Sequence, residues 1–557
     1  MLLNKIIFKV HDKDGQDISV KTEGTIILVG PNSSGKSMAL REIERYLNDG
    51  NSALNNIIGA IELEDVNDEE KAYKILKGSE VVTPGDNPPE NSFFIGRENH
   101  SNGNRERFFV FTRNVQSAVE FLNRPDVKRR IAYTYVLRLD GTTRLTSLNQ
   151  SGAADLLQNP IDLNSMMLRY SAKRQEVRKI IHEAFGLYMS IDVTGRSTNR
   201  VRFGEESPTE SIETGVGADA IAYHTHAKSY EDAGDGLKAF SGIVANIIVS
   251  KSKIMLIDEP EAFLHPPLSY KLGEEISKIA QEREVNLIVA THSSSFLMGA
   301  LQSTSKVSIV RMSFTQGIPR IKILNNEQVK HLVNNPVMRS SNVLSGIFHD
   351  GVIVTEDDSD RVLYQEINYR LSRLEKSGLA SALFLNSNGK TSLHKIAGPL
   401  RLSGVPAAIC ADFDLVFIPV EFGNVISSAN IPKPIADALH ALKSNMMNGI
   451  DQNERENIKK QGINYFSGDK RAAAQEIISI LNRYGVFIIP TGELESWLRT
   501  MGVEGKKVGR VIQILEKFGN DPTDDQYVRP AQGDIWDYIR SVTMWLKDPQ
   551  REGMTDD

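Results

Sequence analysis

A strand, a glycine-rich loop and a helix in immediate succession set the frame for this chain. They lie in GTIILVGPNSSGKSMALREIERYL, which begins at Gly24. TIILV is a β-branched apolar run of the kind buried in a parallel sheet. Gly30, Pro31, Asn32, Ser33, Ser34, Gly35, Lys36 and Ser37 follow the pattern G-x-x-x-x-G-K-S, and an amphipathic helical pattern comes after them. These residue types suit a phosphate cradle. Glycines let backbone N–H groups close around phosphates, Lys36 reaches the β- and γ-phosphates, and the Ser37 hydroxyl binds Mg²⁺. All of them are candidate ligands of ATP and its Mg²⁺.

Two further apolar runs end in reactive side chains. KIMLIDEPEAFLHP starts at Lys253 and reaches Asp258 and Glu259. An acid at a strand tip beside such a loop orders Mg²⁺, directly or through water, and the next acid polarises the attacking water. VNLIVATHSSSFL ends in Thr291, His292 and Ser293, which makes His292 a candidate γ-phosphate contact.

This order of motifs resembles the ABC-type ATPase family, in its DNA-repair and defence branch, where DEPE is followed by LHP and then THS. The resemblance implies ATP hydrolysis and a signature loop ahead of the acidic strand tip. That loop lends a helix N-terminus to the ATP held by a partner subunit, so a homodimer or higher homo-oligomer through the ATPase domain is expected. Gly234, Asp235 and Gly236 in EDAGDGLKAFSGIVANIIV are the first candidate for it, and Ser241 with Gly242 the second. The serine usual in the family is absent at Gly234. Gln158 in DLLQNP is the candidate for the family's Q-loop. No long heptad coiled coil lies between Lys36 and Asp258, which argues against an SMC-like DNA organiser.

The stretch between loop and signature reads as added strands, RFFVFTRNV and IAYTYVLRL, then one helix, LNSMMLRYSAKRQEVRKIIHEAF. Arg124, Lys128, Arg129 and Arg130 read as a solvated helix end rather than a DNA contact. At 557 residues the chain calls for several domains. With 40% hydrophobic and 24% charged residues it is of the soluble globular class, and no apolar run reaches membrane-span length. No signal peptide is read at the N-terminus, and the single cysteine excludes an internal disulfide, so a cytoplasmic location without membrane contact is expected. The net charge of −6 neither suggests nor excludes nucleic acid.

Beyond about residue 342 the pattern changes. Three strand-like runs end in acids. GVIVTEDDSD supplies Glu356 and Asp360, VPAAICADFD supplies Asp412 and Asp414, and YGVFIIPTGELESWL supplies Glu493 and Glu495. Ligands of open α/β sheets gather at the carboxyl edge of parallel strands. Carboxylates crowded there repel unless a cation sits among them, and oxygen ligands without His or Cys favour Mg²⁺ or Mn²⁺. Two such ions, about 4 Å apart, would clamp a phosphodiester.

Glu356 and the Asp412-Phe413-Asp414 triplet resemble the TOPRIM pattern of topoisomerases, primases and some nucleases, although Asp357 stands where that pattern has glycine. An ABC-type ATPase followed by a TOPRIM domain resembles the OLD (overcoming lysogenization defect) nucleases. The resemblance implies an α/β chain with an ATPase domain at 1–342, inserted elements at about 60–230, and a TOPRIM Rossmann-like domain at 343–557 with a helical insertion at about 427–483. It also implies DNA as substrate, a role in defence against phage or plasmids, and a possible partner protein of the defence system. Family members place a lysine after the last acidic element, so Lys506 and Lys507 are candidate catalytic cations, with Lys390 in NSNGK a second choice. Positions 506, 510 and 517 share one helical face. An ATPase sensor or scaffold whose TOPRIM domain binds without cutting is the alternative, favoured by Asp357.

Overall fold

The computed structural model describes the chain except residues 1–2, 13, 51–54, 82–91, 99–104, 112–116, 158–159, 161, 305, 316–317, 325–327, 330–333, 335, 337–341, 495, 498–506 and 556–557. Gln158, Glu495 and Lys506 therefore lie outside the described residues. By its contacts the chain divides into two units. One comprises Met1–Val29, Gly35–Val310 and Ile323–Val329; the other comprises Gly30–Ser34, Arg311–Lys322 and Lys330–Asp557.

The first unit is built on strand β1 (Thr25–Val29), helix α1 (Lys36–Asp49), β2 (Val136–Leu139), α2 (Asp235–Val249), β3 (Ile254–Asp258), α3 (Pro266–Glu282), β4 (Asn286–Ala290) and α4 (Ser294–Ser303). A hairpin of β5 (Val307–Thr315) and β6 (Ile318–Leu324) follows, and the division between units runs through it. The sheet order is β6-β5-β1-β4-β3-β2. β1, β4, β3 and β2 pair in parallel, in the registers Thr25↔Leu287, Ile254↔Asn286 and Ile254↔Val136. All residues of β1 and β4 are buried, as expected of β-branched strands covered on both faces. Each fully buried Ile or Leu there contributes about 1.5–3 kcal/mol.

Two sequence expectations need correction. IAYTYVLRL is not one added strand. Its first half ends the helix Pro125–Thr134, which a proline at the first helical position favours and which buries Ile131 and Ala132. Only Val136–Leu139 is strand, and it joins the central sheet beside β3, so residues 60–230 do not form one continuous insertion. The expected single helix from Leu163 is two, Leu163–Arg169 and Ser171–Phe185, broken at Tyr170.

The second unit contains β7 (Gly351–Thr355), α5 (Asp358–Leu374), β8 (Ala382–Asn386), α6 (Lys390–Leu402), β9 (Ala407–Ala411), β10 (Val486–Ile488) and α7 (Asp534–Lys547). Its four-stranded sheet has the order β8-β7-β9-β10, with every pair parallel. Helical segments fill most of residues 419–483, between β9 and β10. α5 and α7 bury Leu363, Ile367, Ile539 and Val542 in one core with Ile353, Cys410 and Phe487 of the sheet. Among the described residues no helix is long and apolar enough to cross a membrane.

Candidate functional site

Parallel pairing brings the C-terminal tips of β1, β4 and β3 to one edge, and the reactive residues of the first unit sit there. Gly35 caps α1 at φ +91, a left-handed conformation that favours glycine. Lys36, next in the chain, is buried. The Ser37 hydroxyl donates to Asp258 Oδ1 at 2.9 Å, across 221 residues of sequence. A hydroxyl and a carboxylate so placed are hard oxygen donors of the kind that Mg²⁺ takes.

Glu259 follows Asp258 with a left-handed backbone, at φ +49. Its N–H donates to the Ala290 carbonyl at 2.8 Å. Arg144 Nη1 donates to the carbonyls of Asp258 and Glu259 at 2.7 and 2.5 Å. Arg144 is only 2% exposed. Burial lowers its pKa, against the opposing pull of Glu261, Glu259 and Asp258. A non-glycine residue at positive φ costs on the order of 1–3 kcal/mol, and the charged hydrogen bonds from Arg144 offset it. His292 Nε2 lies 4.0 Å from Glu259 Oε1. Burial, and then the charge of Lys36, lower the His292 pKa. Its backbone N–H donates to Glu261 Oε1 at 2.7 Å, and burial raises the Glu261 pKa.

Gly234 caps α2 with an extended backbone, and a side chain built there would meet nothing within 4 Å. The N-terminus of α2 is therefore open at this position. Gly236 differs, because a Cβ there would lie 2.7 Å from the Phe263 carbonyl oxygen. Asp235 opens the helix between them. Ser241 and Gly242, the second candidate, are buried inside α2. The Ser241 hydroxyl donates to the Leu237 carbonyl at 2.6 Å, and a Cβ on Gly242 would lie 2.2 Å from the Arg144 carbonyl oxygen. Both are enclosed in the packing of α2 and away from its open N-terminus.

In the second unit, Glu356 follows β7 and Asp412 follows β9, while Asp414 lies in the short 3-10 turn Phe413–Phe417. One ligand oxygen from each of Glu356, Asp412 and Asp414 falls within 4.8 Å of the others. Glu356 is 9% exposed, and its Oε2 is buried without a hydrogen-bond partner. Burial raises the Glu356 pKa despite Lys390. Asp412 is raised well above the usual carboxylate range, by burial and then by Glu356, Asp360 and Asp414. Lys390 Nζ bridges Glu356 Oε1 and Asp414 Oδ1, 2.8 Å from each. Lys459, from the helix Gln452–Gln461, places Nζ 3.5 Å from Asp414 Oδ2.

Three expected residues fall outside this trio. Asp360 accepts from the Asp357 N–H at 3.1 Å and completes a reciprocal capping box with Asp357 at the start of α5. The acid-rich turn thus serves the helix start, where negative charge is favourable, as well as the cluster. Glu493 lies in the turn after β10 and is not grouped with the three acids. Lys507 opens the helix Lys507–Phe518.

Sequence reading missed Arg144, Glu261 and Lys459. Glu261 was within reach as the last residue of DEPE. Arg144 carries no motif, and its carbonyl partners lie more than a hundred residues away. Lys459 reaches the acids because its helix backbone packs on the turn after β10, where a Cβ on Gly492 would lie 2.2 Å from the Lys459 carbonyl oxygen.

A family model described as "AAA domain, putative AbiEii toxin, Type IV TA system" matches residues 218–298, the stretch holding α2, Asp258, Glu259 and His292. No curated protein matches the chain in sequence. Solved structures similar to part of it include an SMC head bound to the C-terminal winged-helix domain of ScpA, at 13% identity and TM-score 0.35, covering 59% of this chain and 100% of that one. The SMC head domain from Thermotoga maritima is 14% identical with TM-score 0.27, covering 58% and 100%. The Pyrococcus furiosus Smc head with an extended coiled coil is 12% identical with TM-score 0.31, covering 60% and 98%. With the geometry of Ser37 and the strand tip at Asp258, the family match supports an α/β fold with a P-loop ATPase-like domain.

Proposed function

We propose that this chain is an ATP-controlled, divalent-metal-dependent DNA endonuclease of the OLD type, acting in defence against phage or plasmids. The carrying observation is the trio Glu356, Asp412 and Asp414, brought within 4.8 Å at the carboxyl edge of a parallel sheet, in a chain that also carries a P-loop ATPase domain. Three carboxylates and the buried, unpartnered Glu356 Oε2 fit a hard cation such as Mg²⁺ or Mn²⁺. When bound, such an ion supplies the positive charge that polarises a phosphodiester and an attacking water. The chain's own part is to hold three oxygens at fixed separation and to exclude bulk water. In the ATPase domain, Lys36 and the loop bind phosphate, Ser37 and Asp258 hold Mg²⁺, Glu259 is the general base and His292 the γ-phosphate contact. The open N-terminus of α2 completes a site on a second subunit. The matched family, described as a toxin of a toxin–antitoxin system, and the OLD resemblance both support a defence role.

The test is nicking of supercoiled plasmid with Mg²⁺ or Mn²⁺. Asp412→Asn and Glu356→Gln are expected to abolish cleavage and to leave ATP turnover within about twofold, as for sites without shared partners. Wild-type cutting by either variant would overturn the nuclease site. A second reading, an ATPase sensor whose TOPRIM domain does not cut, is favoured by the Lys390 ammonium among the acids and by Asp357 in place of glycine. It predicts no nicking by the wild type under any metal.

A further inference from the structure

Lys390 is the first residue of α6, where a positive charge opposes the helix dipole. Something must hold it there. The preceding turn does so through Glu356 itself. The Gly389 N–H donates to the Glu356 carbonyl at 2.9 Å, and the Ser387 hydroxyl donates to the same oxygen at 3.3 Å. Asn388 and Gly389 both take positive φ, +56 and +114, to make the bend. The backbone carrying Lys390 is thus tied to the backbone carrying Glu356. The side chain is 13% exposed and meets two of the three acids at 2.8 Å. This ammonium is a fixed part of the cluster.

Charge then limits what else the cluster can take. Two of the three carboxylates already share the Lys390 ammonium at 2.8 Å, and Lys459 Nζ lies 3.5 Å from Asp414 Oδ2. A second divalent ion would have to enter beside these two ammonium groups, which is unfavourable in a mostly buried site. Among the described residues, Asp360 is engaged with the Asp357 N–H at the start of α5, and Glu493 is not grouped with the trio.

We propose that Lys390 occupies the place of the second cation, so that the cluster binds a single divalent ion beside a built-in ammonium. The proposal rests on the nuclease reading only in taking the trio as a metal site. It departs from the two-ion arrangement that the clustered acids first suggest. Lys390 is a positioning residue toward the ion.

Binding of Mn²⁺ to the full-length chain without nucleotide, followed by the EPR signal of free Mn²⁺, tests it. Asp412→Asn identifies the ions that belong to the cluster. Wild type is expected to bind one Asp412-dependent Mn²⁺, and Lys390→Arg also one. Lys390→Met, with the ammonium removed, is expected to bind two, or one with clearly higher affinity. Two Asp412-dependent ions in the wild type would overturn the proposal. So would a Lys390→Met protein that melts like wild type and binds one ion with unchanged affinity. The wild-type count decides even where Lys390→Met fails to fold. Absence of any Asp412-dependent Mn²⁺ would instead reject the metal site itself, and the proposal with it.

Discussion

Glu259 combines two features that rarely meet by accident: a left-handed backbone in a charged residue, and a carbonyl gripped by a buried arginine. Strain of this kind persists only where the surroundings over-determine it. Arg144 is that surrounding, and its effect on turnover should pass through the pose of Glu259. Glu259→Gln is expected to bind ATP and hydrolyse it at least about 100-fold more slowly, the usual loss of a general base. Arg144→Met should lower kcat by about 10-fold or more, because it removes charged hydrogen bonds worth about 1.5–3 kcal/mol each in stability terms. KM for ATP should change little, and Arg144→Lys should recover part of the rate. Steady-state ATPase kinetics separate these outcomes; a parallel rise in KM would place Arg144 in nucleotide binding instead. The motif residues were legible in the sequence because each stands at a fixed place in a short run of distinctive residue types. Arg144 was not, since its bonds are to backbone carbonyls, which no residue type announces.

At the scale of elements, the parallel strands with acids at their tips were readable from short β-branched runs ending in Asp or Glu. Asp258, Glu356 and Asp412 do stand at strand ends. Periodicity misled where an apolar run could serve either state. Val136–Leu139 hid behind a helix because Ile131 and Ala132 suit both. The helical insertion between β9 and β10 was visible, but its role was not. The structure adds one contact, Lys459 beside Asp414, on a helix whose backbone lies against Gly492. The burial of β9 has its own consequence. Cys410 is the chain's single cysteine and is buried in that strand. Burial pushes its thiol up to about 12. At pH 8 its thiolate fraction falls to roughly a thousandth of that of an ordinary cysteine. Native protein should react with a disulfide reagent at least about 100-fold more slowly than unfolded protein. The rate should follow opening of the second unit across a urea series. Rapid labelling of the native chain would mean that β9 is not in a closed core.

For the whole molecule, the decisive question is whether two chains share each ATP. The composite-site reading assigns the P-loop of one subunit to the α2 N-terminus of another. Damage to either element can then be complemented by a chain damaged in the other. Lys36→Ala disables the P-loop. For the second element Gly234→Glu is preferable to any change at Gly236, where a Cβ would meet the Phe263 carbonyl oxygen at 2.7 Å. Gly234 has open space around it and a backbone that any residue adopts. An acid at a helix start is favourable by about 0.3–1 kcal/mol, so the variant should fold, yet its charge repels a γ-phosphate presented by the partner. Each homodimer then carries two damaged sites. In a mixed dimer one site combines both defects and the other has an intact P-loop and an intact helix start. Mixing two inactive proteins should therefore restore hydrolysis, to at most about half of wild type per mixed dimer if the sites act independently. Dimerisation measured beside turnover, by light scattering with ATP, shows whether mixed dimers form. Mixed dimers that bind ATP and recover no turnover would argue against independent composite sites. Wild-type turnover in the Gly234→Glu homodimer would remove the α2 N-terminus from the ATP site. No second signature would then stand in reserve, because Ser241 and Gly242 lie inside the helix packing.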